Sequence, residues 1–266
     1  MPDPRPVPDP APNARTWPLA VQSPGTPNGV RLRAVPSGAT RLPCARPPPA
    51  DSMDPLLSPR LLGTAQYLIE ACAIGAFALS GVIEAARKRL DAVGIGVVAG
   101  LAAFGGGTLR DVLLDRRPLF WVQHPELLWF VLLLSLGAIL FMRSRHLDPT
   151  ERAMLWPDAI GMGLFCASGT QLALDMAMPP LVAVVMGVIT AIFGGVLRDV
   201  VCNDIPRVLR DHRPYALCAF AGAWVLVGLQ ALSLEPWPCM LSAAAVATGL
   251  RVLAARRDWR IPSWPG

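Results

Sequence analysis

The sequence is poor in charged residues, and this limits the kind of protein it encodes. Asp, Glu, Lys and Arg make up 16% of its 266 residues, and the only lysine is Lys88. An ordinary soluble domain has about 25% charged residues. Since 53% of the residues are hydrophobic, too little polar surface remains to cover a soluble all-helical protein. The composition therefore favours a membrane protein.

Side chains that carry enzyme or metal chemistry are also scarce. The sequence has three histidines, all in predicted loops: His124, His146 and His212. A serine nucleophile, such as Ser80 or Ser168, needs a base within hydrogen-bond reach, and no histidine is placed to supply one. The six cysteines form no CxxC motif, and five lie in or beside apolar segments, which is typical of buried thiols. We therefore predict neither an enzyme nor a cofactor or metal site.

Long apolar segments dominate the chain after residue 60. Each is 16–23 residues long, and a bilayer core needs about 20 apolar residues of helix. The seven segments are Leu61–Ile83, Ala92–Leu114, Leu127–Met142, Ala153–Leu174, Leu181–Val201, Tyr215–Leu234 and Pro238–Leu253. They predict an all-α polytopic membrane protein with seven transmembrane helices.

Basic residues are unevenly divided between alternate loops. Twelve of them follow the odd-numbered segments: Arg87, Lys88, Arg89, Arg143, Arg145, Arg152, Arg207, Arg210, Arg213, Arg256, Arg257 and Arg260. The other loops contain only Arg116 and Arg117. Because cytoplasmic loops carry an excess of Lys and Arg, we predict an N-terminus outside the cell and a cytoplasmic C-terminus. The pI of 9.2 then reflects membrane orientation, and we predict no nucleic-acid partner.

The first 59 residues differ from the rest of the chain. They contain 16 of the 28 prolines and no apolar run, so they cannot bury enough surface to fold and are predicted to be disordered. They lack the apolar region of a signal peptide, and their basic residues would lie on the wrong side for an N-out protein. One hypothesis explains both features: translation starts at Met53. The alternative is a genuine disordered extension.

An internal repeat relates the first three segments to the next three at a constant offset of 88 residues. The matched pairs include Glu70 and Asp158, Gly75 and Gly163, Ser80 and Ser168, Gly81 and Gly169, Gly106 and Gly194, Gly107 and Gly195, Arg110 and Arg198, and Asp111 and Asp199. Chance similarity between apolar helices would concentrate on Leu, Val and Ala instead. Because each copy has an odd number of spans, the second enters the membrane from the opposite side, which is an inverted repeat typical of transport proteins.

The repeat divides the chain into five parts. They are a tail over residues 1–59, a first three-helix repeat over 60–146, a second, inverted repeat over 147–235, a seventh helix over 236–257 and a cytoplasmic tail over 258–266. The fold class is therefore a 3+3 inverted repeat of transmembrane helices with one extra helix.

Small residues recur at matching positions in both copies. Glycine costs about 1 kcal/mol relative to alanine inside a helix, so we expect Gly105–Gly107 and Gly194–Gly195 to weaken, kink or break the second and fifth spans. Backbone freed by a break is tolerated at membrane depth only beside a cavity or buried protein. The small residues of the first and fourth spans predict close helix packing: Gly75, Ser80, Gly81, Gly163, Ser168 and Gly169.

Charged residues also occur inside the predicted spans, as symmetry-related pairs: Arg110 and Arg198, Asp111 and Asp199, and Glu70 and Asp158. Charges at membrane depth are expensive and usually functional. The arginines either control a water-filled path or pair with carboxylates that lock helices together. The acids either attract cations or are those partners. Adjacent helical residues point about 100° apart, so we expect Arg110 and Asp111 to face different neighbours.

These motifs resemble those of a known family. GGG-x-x-RD at residues 105–111 and GG-x-x-RD at residues 194–199, preceded by F-A-L-S-G and F-C-A-S-G on the helices before them, resemble the prokaryotic branch of the trimeric intracellular cation (TRIC) channels. The same bacterial family is also labelled a glycine transporter family. The resemblance covers about Leu56 to Arg257 and leaves the proline-rich tail unexplained.

The resemblance implies a homotrimer in the bacterial plasma membrane, in which each protomer has its own pore for monovalent cations, chiefly potassium. That pore would lie between kinked helices two and five, with kinks at Gly105–Gly107 and Gly194–Gly195 and with Arg110 and Arg198 beside it. We expect the two arginines to restrict conduction at opposite ends of the path, while carbonyls and carboxylates attract the cation. Animal members carry lysine in these motifs and bind phosphoinositide, so lipid regulation is not transferred to this chain.

Two functional hypotheses remain open at this point. The first is a passive cation channel. The second is a secondary transporter for a small zwitterion such as glycine, which would be bound at the broken helices and at Glu70 and Asp158. A scaffold without transport would leave the paired intramembrane charges unexplained.

The start-site hypothesis makes a direct prediction. If translation begins at Met53, N-terminal sequencing of the natively expressed protein yields Met53 or the residue after it as the first residue. A single peptide from upstream of Met53 would contradict the hypothesis.

Overall fold

The structure, a computed structural model, describes residues 59–145, 150–210 and 214–259. Within these ranges it contains helices and no strand, as predicted for an all-α protein. The helices are α1 (Pro59–Arg87), α2 (Ala92–Leu113), α3 (Phe120–Gln123), α4 (Glu126–Arg145), α5 (Glu151–Asp175), α6 (Pro180–Val201), α7 (Arg207–Arg210), α8 (Tyr215–Ala231) and α9 (Pro236–Arg256). The predictions for residues 1–58, for His146 and His212, and for Arg213 and Arg260 lie outside the described residues.

Each predicted apolar segment coincides with one of the long helices, to within four residues at its ends. Four of these helices are long and apolar enough to cross a bilayer: α1 from Gly63, α2, α6 and α9. Two more, α4 and α8, contain shorter apolar stretches. The fifth helix, α5, carries Asp158 and Pro157 within its length and belongs to neither group.

Four helices, α1, α2, α5 and α6, form the centre of the fold. Around this group α1 packs on α2, α2 on α6, α6 on α5 and α5 on α1. At the 88-residue offset α5 corresponds to α1 and α6 to α2, so two of these contacts join equivalent helices. The outer helices follow the same pattern, because α4 packs on α1 and α2 while α8 packs on α5 and α6. Only α9 departs from it, since it packs chiefly on α5 and α8.

Large apolar side chains are exposed on the outer surface of these helices. On α4, Trp129, Leu133 and Leu140 are exposed, and Leu181 and Val185 are exposed on α6. An apolar surface of this kind is unfavourable in water and suits contact with lipid. The structure thus places hydrophobic side chains both in the core and on the outside, as a membrane protein requires.

The glycine runs do not interrupt the helices that contain them. Both α2 and α6 continue as α-helix through the runs and beyond, to Leu113 and Val201. The expectation of a broken helix is therefore wrong, and a kink at these positions remains a prediction. The backbone hydrogen bonds of the helix outweigh the modest propensity cost of glycine, because the run is short and packed.

Close approach of α2 and α6 explains glycine at two of these positions. A Cβ atom added at Gly106 would overlap the carbonyl oxygen of Thr190 on α6. Likewise, a Cβ atom added at Gly194 on α6 would overlap the carbonyl oxygen of Ala102 on α2. The two helices touch backbone to backbone, and only residues without a side chain fit between them.

Three more of the repeated glycines, Gly81, Gly163 and Gly169, also lie where helices approach closely. A Cβ atom at Gly81 would lie 2.8 Å from Cα of Ala99 on α2, and one at Gly169 would lie 3.2 Å from Cα of Gly187 on α6. At Gly163 it would lie 2.6 Å from the carbonyl oxygen of Ala244 on α9. These distances are too short for any larger residue unless the helices move apart.

The α2–α6 contact can be tested with two neighbouring glycines. We expect Gly106→Ala to destabilise the protein by about 1–3 kcal/mol, the usual cost of overpacking, because the new methyl group meets rigid backbone. Gly107→Ala is the matched control, since a Cβ atom there has no neighbour within 4 Å and alanine gains about 1 kcal/mol of helix propensity. Thermal unfolding in detergent measures both. Equal melting temperatures for the two variants would contradict the contact.

Candidate functional site

Two clusters of charged residues lie in the interior of the helical group. The first triad consists of Glu70 on α1 and Arg110 and Asp111 on α2. The second triad consists of their repeat equivalents Asp158 on α5 and Arg198 and Asp199 on α6. All six side chains are buried, with at most 3% of any residue exposed. The tertiary structure thus brings each predicted set of intramembrane charges together within its own half.

In the first triad two carboxylates accept hydrogen bonds from one arginine. Arg110 Nη1 donates to Glu70 Oε1 at 2.5 Å, and its Nε donates to Asp111 Oδ1 at 2.9 Å. The second oxygen of Asp111 accepts a hydrogen bond from the backbone N–H of Phe120 at 2.8 Å. Because Phe120 begins α3, the triad connects α1, α2 and the segment that follows α2.

The second triad repeats this arrangement. Arg198 Nη1 donates to Asp158 Oδ1 at 2.6 Å, and its Nε donates to Asp199 Oδ1 at 2.9 Å. Asp199 Oδ2 accepts from the backbone N–H of Arg207, the first residue of α7, at 3.0 Å. The arginines therefore make equivalent bonds in both halves, 88 residues apart, whereas the backbone donors Phe120 and Arg207 are 87 residues apart.

Arg110 and Asp111 contact different neighbours, Glu70 on α1 and the backbone N–H of Phe120, and they also bind each other. Their Cβ atoms diverge on the helix, but an arginine side chain is long enough for its guanidinium group to turn back toward the adjacent carboxylate. The 2.9 Å bond in each triad is the result. Of the two alternatives for the arginines, the described structure contains the ion pairs that join neighbouring helices. A path beside them remains a proposal.

The second triad has further polar partners. The Ser80 hydroxyl on α1 accepts a hydrogen bond from Arg198 Nη1, which links the two halves. Its repeat equivalent Ser168 instead donates to the carbonyl oxygen of Phe165 on its own helix, at 3.5 Å. Tyr215, the first residue of α8, donates its hydroxyl to Asp158 Oδ2 at 3.0 Å. The two triads thus share a core but differ in their surroundings.

Three residues of this site were missed by the sequence analysis: Glu84, Tyr215 and Arg251. Arg251 on α9 is 3% exposed, and its guanidinium carbon lies 4.4 Å from the centroid of the Tyr215 ring. A charge inside the last predicted apolar segment was an available signal for Arg251. Glu84 lies one residue beyond the first predicted segment, and Tyr215 begins the sixth, so neither stood out.

Glu84 connects the end of α1 to the segment after α6. It is 2% exposed, and its Oε2 accepts from Arg207 Nη2 at 3.0 Å and from Arg87 Nη1 at 2.8 Å. Lys88 adds an exposed ion pair to Asp204 at 2.7 Å. The beginning of α7, which also contacts the second triad through Asp199, is therefore anchored on α1.

A small cavity lies beside each triad, next to the glycine run. The first is lined by Glu70, Gly107, Arg110 and Phe120, among others, and the second by Gly195, Arg198, Asp199, Arg207 and Tyr215, among others. Each has a volume of about 10 Å³, enough for roughly one water molecule. Neither cavity is large enough for a hydrated ion.

The chain matches the family model described as "Glycine transporter" twice, over residues 67–143 and 155–231. The two matches are 88 residues apart, which is the offset found between the charged and glycine motifs. The internal repeat is thus present at the level of a whole three-helix unit. The match ends at residue 231, so α9 lies outside both copies.

Relatives and solved structures agree with this match. The inner membrane protein YadS of Escherichia coli K12 is 32% identical over 199 residues, which is 74% of this chain and 95% of that protein. A membrane protein of Vibrio cholerae is 33% identical, over 74% of this chain and 82% of its own length. The TRIC trimeric intracellular cation channel orthologue from Rhodobacter sphaeroides has a TM-score of 0.66 and 32% identity, covering 74% of this chain and all of that one.

Two more solved structures show the same fold. One, from a study of conductance through TRIC cation channels, has a TM-score of 0.66 and 30% identity, over 75% of this chain and 97% of that chain. The other, a prokaryotic TRIC channel, has a TM-score of 0.69 at 24% identity and covers 75% of this chain and all of its own. At that identity the last comparison supports the fold alone.

The triads can be tested by neutralising one carboxylate. We expect Asp111→Asn to destabilise the protein by about 1.5–3 kcal/mol, the usual contribution of hydrogen bonds to charged groups, because Arg110 keeps Glu70 as its ion-pair partner. Asp115→Asn is the control, because Asp115 is exposed and lies four residues further along the same segment. Thermal unfolding in detergent compares the two. An Asp111→Asn protein as stable as the control would show that the pair contributes little.

Proposed function

We propose that this chain, which belongs to the glycine transporter family of membrane proteins, is a cation channel of the bacterial inner membrane. Membership of the family confirms the resemblance drawn from the two glycine-arginine-aspartate motifs. The proposed path for cations runs beside α2 and α6 and passes both triads. Its chief permeant ion is proposed to be potassium.

The observation that carries the proposal is the net charge of the triads. The first triad combines one arginine with two carboxylates, and so does the second, which leaves a formal charge of −1 in each. A buried site with excess negative charge attracts cations and repels anions. The adjacent cavities lie beside Gly107 and Gly195, where the absent side chains leave room for a path to widen.

In this proposal the arginines are the gates. While Arg110 and Arg198 are bound by carboxylates, each arginine offsets the charge of one of its two acids, and the space beside them admits about one water molecule. Movement of a guanidinium group away from its partners would free two carboxylates for a cation at the same time. One side chain thus controls both the width of the path and its charge.

The arrangement in the membrane follows from the repeat. Three spans in each copy place the two halves in opposite orientations, so that the triads lie at opposite ends of the path. The bias of basic residues predicts an outer N-terminus and a cytoplasmic C-terminus. We further propose seven spans and a homotrimer, since the family's structural relatives include a channel described as trimeric.

Glycine transport is the competing function, and its support is the name of the family model. A transporter needs a site that binds a zwitterion and releases it on the other side. A pocket of about 510 Å³ between α2, α4 and α6 is lined almost entirely by apolar side chains such as Leu101, Phe104 and Phe193. Such a lining does not suit glycine.

Liposomes containing the purified protein separate the two functions. With an imposed potassium gradient, we expect a diffusion potential and no saturable uptake of labelled glycine. Saturable glycine uptake without a potassium potential would show that the protein is a transporter and would contradict the channel proposal.

The gate hypothesis is tested in the same liposomes with Arg110→Ala and Arg198→Ala. Each leaves a formal charge of −2 at its triad, so we expect potassium flux to rise several-fold. Arg257→Ala, which removes an exposed charge just after α9, is the control and should leave flux unchanged. Folding of each variant is checked by gel filtration, because an unpaired buried carboxylate is destabilising. Folded variants with wild-type flux would contradict a gating role.

A further inference from the structure

Helix α9 brings a charge into only one half of the protein. It lies outside both copies of the repeat and packs chiefly on α5 and α8, which belong to the second copy. Its Arg251 is buried against this half with 3% exposure. The repeat by itself would make the two triads electrostatically equal, so any difference between them has to come from additions such as this one.

Arg251 lacks the ion-pair partner that the triad arginines have. Its Nε and Nη1 are buried and have no hydrogen-bond partner among the described residues. Within the same part of the chain, no carboxylate lies within 4 Å of its guanidinium group. Its near neighbour is the face of the Tyr215 ring, at 4.4 Å. A cation–π contact offsets only part of the cost of removing a guanidinium group from water.

The charge of Arg251 therefore acts on the second triad through Tyr215. The hydroxyl of that ring donates to Asp158 Oδ2 at 3.0 Å, and Asp158 in turn holds Arg198. Arginine stays protonated in proteins, and opposite charges interact strongly where water is excluded. The first half has no equivalent, because the residue 88 positions before Tyr215 is Leu127.

The formal charges of the two sites differ as a result. Arg110 with Glu70 and Asp111 sums to −1, whereas Arg198 with Asp158, Asp199 and Arg251 sums to zero. The remaining charges near the second triad are Arg207 and Glu84, which pair with each other at 3.0 Å, and Arg87, which is partly exposed to solvent. None of these residues returns the formal charge of the second site to −1.

We infer that the charge of Arg251 suppresses cation binding at the second triad and so makes the two ends of the path unequal. This inference rests on the proposed channel function. A cation then resides preferentially at the first triad, and the second triad is the barrier. Such a path conducts more easily in one direction than in the other.

Single-channel recording in planar bilayers tests the inference with Arg251→Gln. We expect wild-type channels to rectify in potassium solutions of low ionic strength. The variant should rectify at least twofold less and conduct several-fold more. Arg251 is buried, and salt screens buried charges much less than exposed ones, so both differences should persist in 1 M salt. An effect that came from an exposed charge would instead disappear at high salt.

Two further variants identify the cause. Arg256→Gln removes a charge from the same helix. The contact is similar, because the Arg256 guanidinium lies 5.3 Å from the Trp156 ring on α5. This variant should rectify like the wild type. Arg251→Lys keeps the charge and loses the planar stacking, so it should also rectify like the wild type. If Arg251→Gln does not fold, Arg251→Lys carries the test: wild-type rectification supports the inference, and loss of rectification overturns it.

The outcomes separate this inference from the channel proposal. Wild-type protein without potassium current overturns both. Wild-type current that Arg251→Gln leaves unchanged at every salt concentration overturns the role of Arg251 and leaves the channel proposal standing. An equal effect of Arg256→Gln would also overturn it, because the charge of α9 as a whole would then be responsible.

Discussion

Pairing of buried charge is the constraint on which the rest of the structure depends. Taking an ionised side chain out of water costs several kcal/mol unless a partner and hydrogen bonds compensate. Each triad meets this cost with one carboxylate on the arginine's own helix and one on the preceding helix. The adjacent carboxylate, Asp111 or Asp199, also accepts a backbone N–H from the next segment. Two helices and a loop are thereby held in one register, once in each half.

Glycine is the second feature on which the structure depends, because it lets the two halves of the protein approach each other closely. At Gly106 and Gly194 the backbones of α2 and α6 meet without intervening side chains, and each triad follows within one turn or so. The same residues that bring the helices together therefore place the charged sites beside a common interface. In the channel proposed above, the path is closed while the ion pairs hold, and its opening requires their rearrangement.

Helix α9 adds asymmetry to a fold whose core is repeated. Arg251 reaches the second triad from outside the repeat, and Glu84 joins the end of α1 to the beginning of α7 on the same side. The corresponding segment of the first half is held by the Phe120 amide and by the bond from Trp121 Nε1 to Thr108 Oγ1. Two equivalent triads thus operate in different electrostatic surroundings.

The sequence by itself determined the positions of the helices, the repeat and the identity of the six triad charges, because apolar length and matching residues at a constant offset are local properties of a chain. Only the tertiary structure decided what those residues contact. It placed the glycine runs in unbroken helices, turned Arg110 back onto Asp111, and brought Tyr215 to Asp158 and Arg251 to the Tyr215 ring. The physical reason is that a side chain's partners depend on how helices distant in sequence pack together, and periodicity along one helix carries no information about that.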